Sequence, residues 1–115
     1  MLIPADALPH FENQIYLPMV LTILSKDREA FERIGVKLPG PYLKAIDRAI
    51  TTVQSEMKET GDYLRTNKMK LIRGSVDDTF TEYIFLYHGR EERRRYLNLR
   101  LKNRTEELLE LYLMR

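Results

Sequence analysis

Between Arg90 and Arg104 the chain carries seven basic residues, Arg90, Arg93, Arg94, Arg95, Arg100, Lys102 and Arg104, against Glu91 and Glu92 alone. That is a local balance of +5 in a chain whose net charge is +2. Guanidinium forks bind phosphates bidentately, and the flanking Tyr87 and Tyr96 have faces on which bases can stack. The run nominates Arg93, Arg94, Arg95, Arg100, Arg104 and Tyr96 as contacts, either for a polyanion such as nucleic acid or for a protein partner anchored by arginine and tyrosine. A plainer account competes, in which Glu91 and Glu92 pair with the arginines across a turn and the remainder is a wet face.

Other chemistry has weaker support. His10 lies between prolines and phenylalanine, and His88 precedes Gly89 at an expected turn, so neither has a nucleophile or carboxylate at a telling spacing. No GxSxG, HExxH, Walker or GxGxxG pattern occurs. Cysteine is absent, which removes thiol nucleophiles, disulfides and thiolate zinc sites. Asp77, Asp78 and Glu82 are the one carboxylate group near aromatic residues. A turn or helix cap explains them better than a cation does. The expectation is a non-enzymatic protein without metal or cofactor.

The elements that position these residues follow from periodicity. The first sixteen residues, with Pro4 and Pro9 and no steady period, read as an extended arm anchored by Phe11, Ile15 and Tyr16. Pro18 suits a helix start, and Val20, Ile23, Leu24, Asp27, Phe31 and Ile34 follow at spacings of three and four before Gly35, with Asp27 alone breaking the apolar stripe. After the breaker-rich Lys37-Leu-Pro-Gly-Pro, a second stripe of Tyr42, Ile46, Ile50, Val53, Met57 and Leu64 predicts a helix ending near Asn67, and the two helices should form an antiparallel hairpin. From Met69 the composition turns β-compatible. Phe80-Thr-Glu-Tyr-Ile-Phe-Leu-Tyr reads as a strand, flanked by strands from Met69 and Arg93 in a meander. A helix over the same segment is the alternative, because Phe80, Tyr83, Ile84 and Tyr87 also stand at helical spacing.

A last helix from Asn98 to Leu113 carries the stripe Leu101, Thr105, Leu108 and Tyr112. Its final turns are apolar nearly all round, so Leu109, Leu111, Leu113 and Met114 are candidates for self-association into a homo-oligomer. The predicted fold is α+β and mainly helical: one domain over residues 1–115 with a helix hairpin, a small antiparallel meander and a C-terminal helix. An all-α fold is the alternative.

Three stretches carry a resemblance: Leu17-Pro-Met-Val-Leu-Thr-Ile-Leu, Asp77-Asp-Thr-Phe-Thr-Glu-Tyr and Asn98-Leu-Arg-Leu-Lys-Asn-Arg-Thr-Glu-Glu-Leu-Leu-Glu-Leu-Tyr-Leu. Together they make the chain similar to a family of small uncharacterised proteins of Gram-positive bacteria and their prophages. The resemblance implies a cytoplasmic bacterial or phage-derived protein and no particular reaction. Independently, the longest apolar run, Leu17 to Leu24, is far short of the roughly 20 residues that span a bilayer. The N-terminus also lacks the basic and apolar regions of a signal peptide. The expected role is a cytoplasmic protein-interaction or regulatory module that self-associates, with nucleic-acid binding through the basic run as the alternative and no membrane partner.

Overall fold

A computed structural model of the chain describes residues 3–115. Three helices and three strands follow in the order α1 (Leu8–Arg33), α2 (Gly40–Thr66), β1 (Lys70–Val76), β2 (Phe80–Tyr87), β3 (Arg90–Leu97) and α3 (Asn98–Met114). The α+β expectation holds, and the all-α alternative falls with the strand at β2.

The N-terminal arm requires correction. Residues 1 and 2 lie outside the described residues, but from Leu8 onward the segment is helical and continuous with the helix expected to begin at Pro18. Pro9 sits in the first turn, where its missing N–H costs nothing. Pro18 lies inside the helix, an arrangement that costs about 3 kcal/mol in an isolated helix. Burial on both sides of the proline offsets that cost: Phe11, Ile15 and Tyr16 precede it, Leu17, Val20 and Leu24 follow, and all six are nearly inaccessible. Each fully buried side chain of this size contributes about 1.5–3 kcal/mol. The expected anchors are therefore anchors, but from a helix. The expected stripe is shifted as well, since Ile34 is 63% exposed and the buried line ends at Leu24.

In α2 the expected stripe holds at Ile46, Val53 and Leu64, with Ala49 buried beside them. Gly61 marks a close approach of the hairpin, because a Cβ there would lie 3.4 Å from the Gln14 side-chain nitrogen.

The sheet is an antiparallel meander in the order β1-β2-β3. Strand β2 alternates, with Thr81, Tyr83, Phe85 and Tyr87 buried and Phe80, Glu82, Ile84 and Leu86 half-buried on the other face. A two-residue turn at His88 and Gly89, both at positive φ (48° and 74°), returns the chain into β3. Paired positive φ values match the twist of a tight hairpin. Between Arg73 and Val76 the β1–β2 register shifts, and a Cβ at Gly74 would meet the Glu82 carboxylate at 2.5 Å, so Glu82 would have to move to admit a side chain there.

The buried face of the sheet packs on the first half of α1, where Phe11 and Phe85 stack at 4.9 Å, with Leu64 and Leu101 in the same cluster. A second cluster of Leu17, Val20, Leu24, Ile46, Ala49, Val53 and Tyr112 fills the space between the three helices. Leu108 of α3 packs against both.

Candidate anion-binding cleft

β3 and α3 are joined without a loop: Leu97 is extended (φ −63°, ψ 129°) and the helix begins at Asn98. The junction is held by its neighbours. The Asn98 N–H donates to the Thr79 carbonyl at 2.8 Å, its side-chain amide donates to the Asp77 carbonyl at 2.8 Å, and the Thr81 hydroxyl donates to the Asn98 side-chain oxygen at 2.7 Å. Asp77 completes the corner by accepting the N–H groups of Thr79 (2.8 Å) and Phe80 (2.7 Å) on one carboxylate oxygen. These backbone bonds hold its carboxyl below the usual range. The turn role expected for Asp77 is thus the one its carboxylate performs.

This corner turns the basic run around an open cleft of about 950 Å³. Its walls are Arg94, Arg95 and Tyr96 of β3, Leu99, Arg100, Asn103, Arg104 and Glu107 of α3, Glu12 and Tyr16 of α1, and Phe80. Five of the six residues nominated by the sequence meet here. Arg93 does not: alternation points it, like Arg95, to the outer face of the sheet, but it stands opposite Ile84, farther from the α3 corner than Arg95, and pairs with Glu82 at 3.2 Å and Glu91 at 3.1 Å.

Charges in the cleft are partly neutralised. Arg94 pairs with Glu92 and lies 5.2 Å over the Phe85 ring, and Arg104 donates to Glu107 at 2.9 Å. Arg95 lies flat on Phe80, 4.0 Å from the ring centre. Among the described residues neither Arg95 nor Arg100 has a carboxylate within ion-pairing distance. The α3 first turn contains no acidic residue and no capping side chain, so the positive end of that helix adds to the field.

Two tyrosines form the floor. Burial pushes the Tyr16 hydroxyl pKa up, Glu12 adds to the rise, and Arg100 and Arg104 oppose it. Burial likewise raises Tyr96, whose ring meets Tyr83 edge-on at 5.7 Å. Both hydroxyls are therefore protonated at neutral pH and can donate. Their rings are packed away, which leaves little aromatic face for stacking a base.

Among the lining residues outside the nominated set, Tyr16, Glu12 and Phe80 come from other elements, while Leu99, Asn103 and Glu107 belong to α3 itself. Glu12 and Tyr16 lie in the segment read as an arm. Their spacing of four, one residue after Phe11 and Ile15, was the available sign that both belong to a helix flank.

The residues nominated for self-association divide. Leu109 and Leu113 turn inward against the helix cluster, while Leu111 and Met114 are 53% and 77% exposed on the other side of α3. The histidines are engaged elsewhere: His10 stacks on Tyr63 at 3.8 Å and lies 3.4 Å from the Thr60 hydroxyl, and His88 occupies the hairpin turn. A second cavity of about 860 Å³, mostly apolar, lies between α1, the end of α2 and β1, lined by Ile15, Met19, Leu64 and Leu71 among others. No helix among the described residues is long and apolar enough to cross a membrane.

Residues 2–115 match the family described as YhjD protein, and the chain belongs to that family. It is 34% identical over 102 residues, 89% of this chain and 85% of its relative, to a Bacillus subtilis (strain 168) protein described as the uncharacterized protein YhjD. The expected kinship with Gram-positive bacteria is met by that relative, and neither match bears on prophages. No solved structure matches the chain.

Proposed function

We propose that this YhjD-family chain is a non-enzymatic protein-interaction module that docks an acidic segment of a partner protein in the cleft between β3 and α3. The supporting observation is Arg100, a guanidinium without a carboxylate of its own, set beside Arg94, Arg104 and the protonated hydroxyls of Tyr16 and Tyr96. Carboxylates satisfy both donor types, because arginine forks donate to them bidentately and a phenol O–H adds a neutral donor. Nucleic acid fits less well. Single strands are held by exposed aromatic faces along a basic track, and here the Tyr16 and Tyr96 rings are packed into the core.

The test is fluorescence anisotropy with a labelled glutamate-rich peptide and a labelled single-stranded oligonucleotide at low and raised salt. The peptide is expected to bind at low salt, with Arg100→Glu weakening it by about tenfold to a hundredfold, the equivalent of one or two charge-assisted bonds. Absence of peptide binding, or an oligonucleotide bound more tightly with a steep salt dependence, overturns the reading.

A further inference from the structure

Every helix packs on one side of the sheet, and among the described residues no helix covers the other side. In an antiparallel sheet with one solvated face, that face is ordinarily polar. Here its centre is apolar. The registers set out rows across it: Lys70, Leu86 and Glu91 form one, Ile72, Ile84 and Arg93 the next, and Glu82 and Arg95 a third, beside Gly74. Ile72 is 37% exposed although nonpolar, and Ile84 and Leu86 lie beside it.

The pattern of charge on this face is complementary to itself. We infer that the outer face of the sheet binds a second copy of this chain, sheet on sheet, about a two-fold axis running along β2. Rotation about that axis lays β1 of one copy over β3 of the other, as an isologous contact requires. Lys70 then faces Glu91 of the second copy, twice over, and Ile84 and Leu86 meet their own mates on the axis. Ile72 meets the aliphatic stem of Arg93. Glu82 also approaches its mate, but it arrives paired with Arg93 at 3.2 Å. Arg95 of the second copy comes down over Gly74, where the Glu82 carboxylate already lies, because no side chain occupies that position. Stacked sheets sit about 10 Å apart and cross at about 30°. The length of Lys70 and Glu91 accommodates the resulting offset.

The area sets the strength. Three strands of about eight residues present a face of about 14 by 27 Å. That is about half the contribution per partner of a standard stable interface. A face of that size makes for a weak dimer that forms only as concentration rises. This inference shares only Arg95 with the cleft, and Arg100→Glu should leave it intact.

Sedimentation equilibrium over a wide concentration range is expected to show monomer passing to dimer. Ile84→Lys, checked for native helicity by circular dichroism, should raise the dissociation constant at least about tenfold. Lys70→Glu and Glu91→Lys should each weaken the dimer, and the two together should restore it. Because the chain has no cysteine, Ile84→Cys treated with a short thiol cross-linker should give a covalent dimer and Met114→Cys should not. A strict monomer, an association untouched by Ile84→Lys, failure of the double reversal to restore it, or cross-linking through Met114→Cys instead would overturn the inference.

Discussion

Asp77 shows how one side chain can hold two elements together. Its oxygen receives two backbone N–H groups of the β1–β2 turn while its carbonyl receives Asn98 from the start of α3. Because its folded pKa is depressed, the carboxylate contributes stability above the ordinary aspartate pKa and loses it as pH falls through the folded value. Asp77→Ala should lower Tm at neutral pH and flatten the acid limb of a Tm-against-pH curve. An unchanged acid limb would count against the turn role. The tyrosines act at the opposite end of the scale. Burial raises Tyr16, Tyr83, Tyr96 and Tyr112, the last also through its hydroxyl's 2.5 Å bond to Glu56. A group raised in this way stabilises fully below its unfolded pKa, about 10 for tyrosine, and loses that contribution as pH rises through the folded value. Absorbance titration should therefore show these phenols ionising late, together with alkaline unfolding.

At the scale of elements, Pro18 and β2 explain what the sequence could and could not disclose. Pro18 was read as a helix start because that is where proline is cheapest. The signal against it was the spacing of Phe11 and Ile15, which becomes decisive only once a sheet is present to bury Phe11 against Phe85. Local propensity cannot see that partner. Pro18→Ala should accordingly raise stability, by up to about 3 kcal/mol, measured by chemical denaturation; destabilisation would mean that the proline packs a surface α1 needs. In β2 the apolar residues satisfy the helical and the alternating period at once, so pattern alone left both open. The hairpin turn decides, since His88 and Gly89 take left-handed conformations that glycine adopts without strain. Gly89→Ala should cost about 1–2 kcal/mol by chemical denaturation, the penalty of a left-handed conformation for a residue with a Cβ.

Over the whole molecule, which extends 54 × 33 × 18 Å, burial is uneven. α1 has no buried residue after Leu24 and α2 none before Ile46, so the tip of their hairpin leaves Ile34, Leu38 and Tyr42 exposed beyond the reach of α3. Hydrogen exchange should show amides around residues 27–45 opening locally, while those of β2 and the middle of α1 exchange only near global unfolding. Equal protection throughout would contradict that picture. The candidate cleft was legible in the same uneven way. Its arginines are consecutive enough to be seen in the sequence, whereas Tyr16 and Glu12 reach it from some eighty residues away and are found only when the chain is folded.

The absence of a loop between Leu97 and Asn98 has a further meaning for recognition. The β3 and α3 walls of the cleft meet at a loopless corner held by hydrogen bonds to Asp77 and Thr81, so there is no linker between them to act as a hinge. If the acidic segment proposed above docks there, the entropy of ordering would fall mainly on that incoming segment, and its affinity would respond more to how rigid the segment is made than to remodelling of the cleft.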